Sequence, residues 1–325
     1  MEINLNINNG ADDKCKNLFD IRASKIRNAP KDIKTLFGLA IKEMEAAQKA
    51  DGKLRGVPSG FSELDRITSG WRKSDLIVIA ARPGMGKTAL ALSLTRNAAL
   101  NGFPVAFFSL EISAVQLMLR LIASEAEISR EKLKNGDLNK VEWDDLNRKA
   151  KNLEEAPIFI DDTSALSIFE LREKCIQLGA KQNIQLIVID NIQLMRNSNI
   201  ARSHQQDISN ISRSLKGLAE EMDIPIIVMS QLNKTVDARG GLFKPKLIDL
   251  REFGAIEQDA DMVLFLYRPE YYDFLEDETG ESQRGKAEII IAKHKKGSLD
   301  SVFLKFIGRY LKFVDVTGFD YCHQY

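Results

Sequence analysis

From residue 60 onward, short apolar runs alternate with helical patterns. The runs at 76–81, 105–109, 158–161, 186–190, 226–231 and 262–267 read as strands, most of them continuously apolar rather than alternating. Between them, 87–100, 113–125, 139–153, 167–182 and 204–222 repeat apolar residues at helical spacing. In the last of these, Ile208, Ile211, Leu215, Leu218 and Met222 form one face. This alternation predicts an α/β fold with a mostly parallel sheet covered by helices on both sides. After residue 285 only strands follow: KAEIIIAKH, a KKGS turn, SVFLKFIG and RYLKFVD. They predict an antiparallel extension of the sheet.

Upstream the pattern is different. Residues 1–30 are polar and Asn-rich with little period, which predicts a flexible arm. Residues 31–50 place Ile33, Phe37, Ala40, Ile41, Met44 and Ala47 on a helical repeat. A Gly- and Pro-bearing connector, DGKLRGVPSG (51–60), separates this helix from the later core. The helix either folds back on its own domain or docks on a neighbouring subunit. The expected organisation is an arm (1–30), a linker helix (31–50) and one large domain (51–325).

Composition narrows the partners. The 325 residues carry 46 Lys+Arg and 46 Asp+Glu, a formal net charge of zero. No whole-molecule field attracts nucleic acid, so any such contact must come from local basic loops. Cys15, Cys175 and Cys322 match no zinc or disulfide spacing and read as reduced thiols of a cytoplasmic protein. No apolar run approaches a membrane span, and the N-terminus lacks a signal-peptide layout.

The stretch IVIAARPGMGKTAL (77–90) carries the chemistry: an apolar strand, a loop with two glycines, then Lys-Thr opening a helix. It fits the phosphate-loop pattern G-x4-G-K-[ST], with Ala81 at the first position, then Arg82, Pro83, Gly84, Met85, Gly86, Lys87, Thr88 and Ala89. Backbone N–H groups and the helix N-terminus would face phosphate oxygens. Lys87 would reach the β- and γ-phosphates of ATP, and Thr88 would ligate Mg²⁺. LIVID (186–190) ends in Asp190, placed to support that metal. VAFFSLE (105–111) ends in Glu111, a candidate general base or a capping carboxylate. IPIIVMSQ (224–231) ends in Gln231, a γ-phosphate sensor or a polar strand end.

In order, GVPSGFSELDRITSGW (56–71), ARPGMGKTAL, FFSLEIS, LIVIDNIQLM, ISRSLKGLAEE, SQLNK, DLREFGAIEQDAD and IAKHKKG resemble the DnaB-type replicative helicases. These belong to the RecA-like hexameric motors. The resemblance implies a RecA-like core, ATP hydrolysis with Mg²⁺, and translocation 5′ to 3′ on single-stranded DNA as a homo-oligomeric ring of six. It makes Glu111 the catalytic glutamate, Asp190 the Mg²⁺-associated aspartate and Gln231 the sensor. Lys293 and Lys295 fall at a basic pair that enters the neighbour's ATP site, and the linker helix is expected on the next subunit. Two basic segments map to DNA-contacting loops. One, 196–206, carries Arg196 and Arg202; the other, 233–254, carries Lys234, Arg239, Lys244, Lys246, Arg251, Glu252 and Gly254.

The chain departs from the family at four points. Lys295 stands where arginine is usual, and lacks its planar two-toothed fork. Asn191 stands where tyrosine is usual, and Phe253 where serine is. Residues 1–30 are too short and polar to be the family's helical N-terminal domain, so a primase or loader partnership rests on other surfaces. Three alternatives stay open: a shortened, non-processive ATPase, a modulator that joins a full-length helicase, and another RecA-like DNA-dependent ATPase.

Overall fold

A computed structural model describes residues 32–49, 54–196, 204–233, 242–253 and 256–316. The expected arm, 1–30, lies outside them. The chain divides after Lys53 into two units. In the first, helix α1 spans Ile33–Lys49. Asp32 starts it, accepting from the Thr35 backbone N–H at 2.9 Å and the Thr35 hydroxyl at 2.7 Å. Its Ile33, Phe37 and Met44 are exposed.

The second unit is built on one sheet. In chain order its elements are α2 (Ser62–Thr68), β1 (Leu76–Ala81), α3 (Lys87–Leu100), β2 (Val105–Ser109), α4 (Ala114–Ala126), α5 (Arg130–Asn135) and α6 (Lys140–Glu154). Then come β3 (Ile158–Asp161), α7 (Ile168–Gln182), β4 (Leu186–Asp190), α8 (His204–Met222), β5 (Ile226–Gln231), α9 (Ile256–Asp259) and β6 (Met262–Tyr267). The chain closes on β7 (Lys286–His294), β8 (Asp300–Ile307) and β9 (Lys312–Asp315). Among the described residues the strand order is β3-β2-β4-β5-β1-β6-β7-β8-β9. The first six strands of that order run parallel, and β7, β8 and β9 add antiparallel.

Why the strands read as unbroken apolar runs is now plain. Every residue of β1, β2, β4 and β6 is buried, because helices cover both faces. Alternate side chains serve opposite cores. Ile77, Ile79, Phe107, Val188 and Met229 meet Leu90 and Leu94 of α3 on one face. Val78, Phe108, Ile187, Ile189 and Val228 meet Ile208, Ile211, Leu215 and Leu218 of α8 on the other. Thus the apolar stripe read from 204–222 is the buried face of α8.

Helix starts follow local chemistry. Asn139 with Glu142, and Ser167 with Glu170, form reciprocal capping boxes at α6 and α7. The short α2, α5 and α9 were not foreseen, since fewer than two turns display no period. Ser129 caps α5 and Gly136 ends it with φ 69°.

Phe108 is fully buried in the middle of β2. Truncation to Ala is expected to cost about 3–5 kcal/mol through lost contacts and a residual cavity. Urea unfolding of Phe108→Ala measures it.

Candidate nucleotide-binding and catalytic site

Register places the site. Ala81 of β1 pairs with Gln231 of β5, and Ser109 of β2 pairs with Asp190 of β4. β4 and β5 are themselves neighbours. Four adjacent parallel strands therefore end together, and their loops share one crevice at the carboxyl edge of the sheet.

The loop Arg82–Gly86 leaves β1 and enters α3. Gly84 and Gly86 take φ 81° and 94°, a region that L side chains rarely adopt. A Cβ on Gly84 would stand 2.7 Å from the Tyr271 ring, and one on Gly86 would stand 3.3 Å from Phe313. Pro83 and Gly84 face solvent, whereas Arg82, Met85 and Ala89 are buried. Arg82 donates through Nη1 to the Leu232 carbonyl at 3.2 Å, and the Leu232 N–H donates to the Ala81 carbonyl at 2.9 Å. The phosphate loop is thereby tied to the segment just beyond Gln231.

At the mouth of α3 the polar groups converge. The Thr88 hydroxyl donates to Asp190 Oδ2 at 2.6 Å. Lys87 Nζ stands 4.0 Å from Asp190 Oδ1, with both side chains nearly enclosed. Burial lowers the Lys87 pKa, while the charges of Asp190 and Glu111 pull it back up. Burial raises the Asp190 pKa, against the Lys87 charge and the Thr88 hydrogen bond. Asp190 Oδ1 is buried and accepts no hydrogen bond among the described residues.

Glu111 is exposed just beyond β2 and accepts from Asn191 Nδ2 at 3.3 Å. Gln231 is exposed at the tip of β5. Gln193, in the turn after β4, donates to Ser230 Oγ at 2.9 Å and to the Gln231 carbonyl at 3.2 Å. So Glu111, Asp190, Gln231, Lys87 and Thr88 gather at one edge.

Lys293 and Lys295 lie elsewhere. β7 runs antiparallel to β6, so the end of β7 meets the start of β6, at the amino edge of the parallel strands. Lys293 Nζ donates to the Glu257 carbonyl at 2.6 Å. Lys295 Nζ pairs with Asp261 Oδ1 at 3.0 Å, and Lys216 pairs with Oδ2 of the same carboxylate at 2.8 Å. Neither lysine faces the phosphate loop of its own chain.

Other groups at the site escaped the sequence reading. Arg268 Nη1 approaches the Met85 carbonyl at 3.5 Å, and its guanidinium lies 4.0 Å over the Phe306 ring. Phe306 and Phe313 are 4.7 Å apart, centroid to centroid. With Tyr271 they wall the phosphate loop. Arg120 on α4 is coupled by charge to Asp190 and Glu111; its pKa falls through burial and the nearby Arg130. In sequence these are ordinary strand and helix residues far from any motif.

The basic loops are seen in part. Arg196 is exposed, its N–H donating to the Leu166 carbonyl at 3.1 Å. Lys246 is exposed, its N–H donating to Asp249 Oδ2 at 2.7 Å. Lys244 is engaged within the chain, 2.7 Å from Glu288 Oε2 and 5.7 Å from the Tyr267 ring centre. The backbone of Arg251 and Glu252 belongs to a 3-10 turn, Leu247–Phe253. Their side chains, and Arg202, Lys234, Arg239 and Gly254, lie outside the described residues. Among the described residues no helix is long and apolar enough to cross a membrane.

A parallel sheet with a phosphate loop after its central strand, and a carboxylate on each of two neighbouring strand ends, defines a RecA-like P-loop core. Residues 56–315 match the DnaB-like helicase C terminal domain. The chain belongs to that family. Over 307 residues it is 40% identical to the replicative DNA helicase DnaB of Geobacillus stearothermophilus, covering 94% of this chain and 66% of that protein. Over 303 residues it is 39% identical to the replicative DNA helicase DnaC of Bacillus subtilis (strain 168), covering 93% and 65%. The chain thus spans about two thirds of the length of these relatives. Among solved structures, an isolated ATPase domain superposes with TM-score 0.82 at 37% identity, over 89% of this chain and all of that one. A DnaB-like replicative helicase studied with its primase interactions gives TM-score 0.79 at 36% identity, over 94% of this chain and 72% of that one.

Gly84→Ala combines an unfavourable φ with a clash against Tyr271. It is expected to weaken nucleotide binding about tenfold or more, because about 1.4 kcal/mol of loop strain already suffices. Titration of a fluorescent ATP analogue measures it.

Proposed function

We propose that this chain is the motor of an ATP-driven DNA helicase, a ring of identical subunits, six by resemblance, moving 5′ to 3′ on single-stranded DNA. The observation that carries the reading is the shared edge on which Lys87, Thr88, Asp190, Glu111 and Gln231 meet, in a chain of the DnaB-like family. The loop backbone and Lys87 hold the ATP phosphates. The Thr88 hydroxyl and Asp190 Oδ1, which accepts no hydrogen bond, suit Mg²⁺ and its water shell. Among the described residues no cluster of three carboxylate, His or Cys ligands exists, as expected where substrate phosphates complete the metal's coordination. When bound, Mg²⁺ would neutralise charge on the phosphate oxygens.

Glu111 takes a proton from the attacking water, and Gln231 reports the γ-phosphate to the loop beyond β5. Arg268, Phe306 and Tyr271 offer a guanidinium and aromatic faces to the base. Lys293 and Lys295 face the far edge, so they serve a neighbour's nucleotide. Release of Lys295 leaves Asp261 still paired with Lys216. The exposed Phe37 and Met44 of α1 are covered by the next subunit in the ring. Arg196, Lys246 and the remaining cations of both loops grip DNA phosphates, a contact that reads no sequence. The ring works in the cytoplasm, and primase or a loader would meet it through surfaces beyond the site.

ATP turnover with and without single-stranded DNA, alongside native mass measurement, tests the reading. The expected outcome is a nucleotide-supported oligomer whose turnover rises with DNA. Glu111→Gln should lower kcat by about 10²-fold or more while ATP still binds. A protein that stays monomeric with ATP and binds no single strand at low salt would sink the proposal. Lys295→Ala subunits mixed into wild-type rings should depress the turnover of their neighbours. Turnover that merely scales with the wild-type fraction would remove the role in trans. DNA affinity should also fall steeply with salt, by a log–log slope of about −0.7 per phosphate contacted, read by fluorescence anisotropy.

A further inference from the structure

We propose that Asn191 is a positioning residue for Glu111: its side-chain amide holds the carboxylate in the pose from which it accepts a proton from water. The inference rests on the reading of Glu111 given above.

Glu111 follows the last residue of β2 by two positions and is exposed. A glutamate there has many rotamers, and an unheld base spends most of its time misdirected. Among the described residues, its carboxylate accepts a side-chain hydrogen bond from one group, Asn191 Nδ2 at 3.3 Å. Asn191 is rigidly seated. It directly follows Asp190, is 3% exposed, and its carbonyl accepts from the Leu194 N–H at 3.2 Å. The Leu110 N–H donates to the Asp190 carbonyl at 2.8 Å, locking the two strand ends side by side.

The orientation of the amide is dictated chemically. Turning it over would set Oδ1 against the Glu111 carboxylate, acceptor against acceptor. As placed, Oδ1 is buried and accepts no hydrogen bond among the described residues. A buried amide left half-satisfied stabilises the fold poorly. Its donor, however, fixes Oε2 of Glu111 and leaves Oε1 free for water. The same turn carries Gln193, bonded to Ser230 and Gln231, so one short segment holds both the base and the tip of β5.

In the assembled protein with single-stranded DNA, Asn191→Ala should lower kcat for ATP about tenfold or more. The KM for ATP and the affinity for a fluorescent ATP analogue should stay within twofold. In a Glu111→Ala background the same substitution should change residual turnover by less than twofold, because the group it positions is gone. Asn191→Ser, polar but too short to reach, should repeat the kcat loss and covers poor folding of the Ala variant. Unchanged kcat, a loss carried by KM, or an equal loss in the Glu111→Ala background would overturn the proposal. Wild-type turnover in Glu111→Ala alone would instead remove the assignment of Glu111 as base.

Discussion

The register between neighbouring parallel strands is the constraint on which the site depends. Backbone hydrogen bonds align Ala81 with Gln231 and Ser109 with Asp190. Residues far apart in the chain are thereby delivered to one edge without any contact designed between their side chains. Burial of both sheet faces makes this alignment stiff. A slip of one residue along β4 would invert its apolar side chains and turn Asp190 away.

Stiffness matters because the site is electrostatically costly. Lys87 and Asp190 are both nearly enclosed, and burial pushes their pKa values toward neutrality from opposite sides. Each resists the other's loss of charge, and the Thr88 hydroxyl adds a hydrogen bond to the carboxylate. Such a cluster has little value to the fold alone, where an apolar set would serve as well. Its worth lies in being pre-organised for phosphate and a divalent cation, so that little rearrangement is needed when they bind.

The sheet also separates two chemistries. Its carboxyl edge holds the phosphate loop, the carboxylates and the aromatic wall contributed by β8, β9 and the turn after β6. Its amino edge holds Asp75 and Asp261 with Lys296, Lys295 and Lys216. A single protomer cannot bring the second set to the first. Two protomers packed edge to edge can, which gives assembly a chemical purpose beyond holding DNA. Lys244 illustrates the limit of reading charge as availability: its ammonium is spent on Glu288, and the adjoining Phe243 stacks 4.9 Å from Tyr272.

What the sequence determined by itself were the features written in local spacing. The apolar runs of β1, β2, β4 and β6, the stripe on α8, the two capping boxes and the phosphate loop each lie within one continuous segment. Their physics is that of one strand, one helix face or one turn. The motif order also carried the family, and with it Glu111, Asp190 and Gln231. Tertiary structure alone decided the rest. The placement of Arg268, Phe306 and Phe313 around the phosphate loop depends on how the antiparallel strands return across the sheet. That Asn191 faces Glu111 depends on the pairing of β2 with β4, eighty residues apart in sequence. The sequestering of Lys295 by Asp261 likewise follows from the antiparallel return of β7 along β6. Side-chain partners across a sheet are set by strand order and register, which arise from the whole core and leave no short-range mark on the chain.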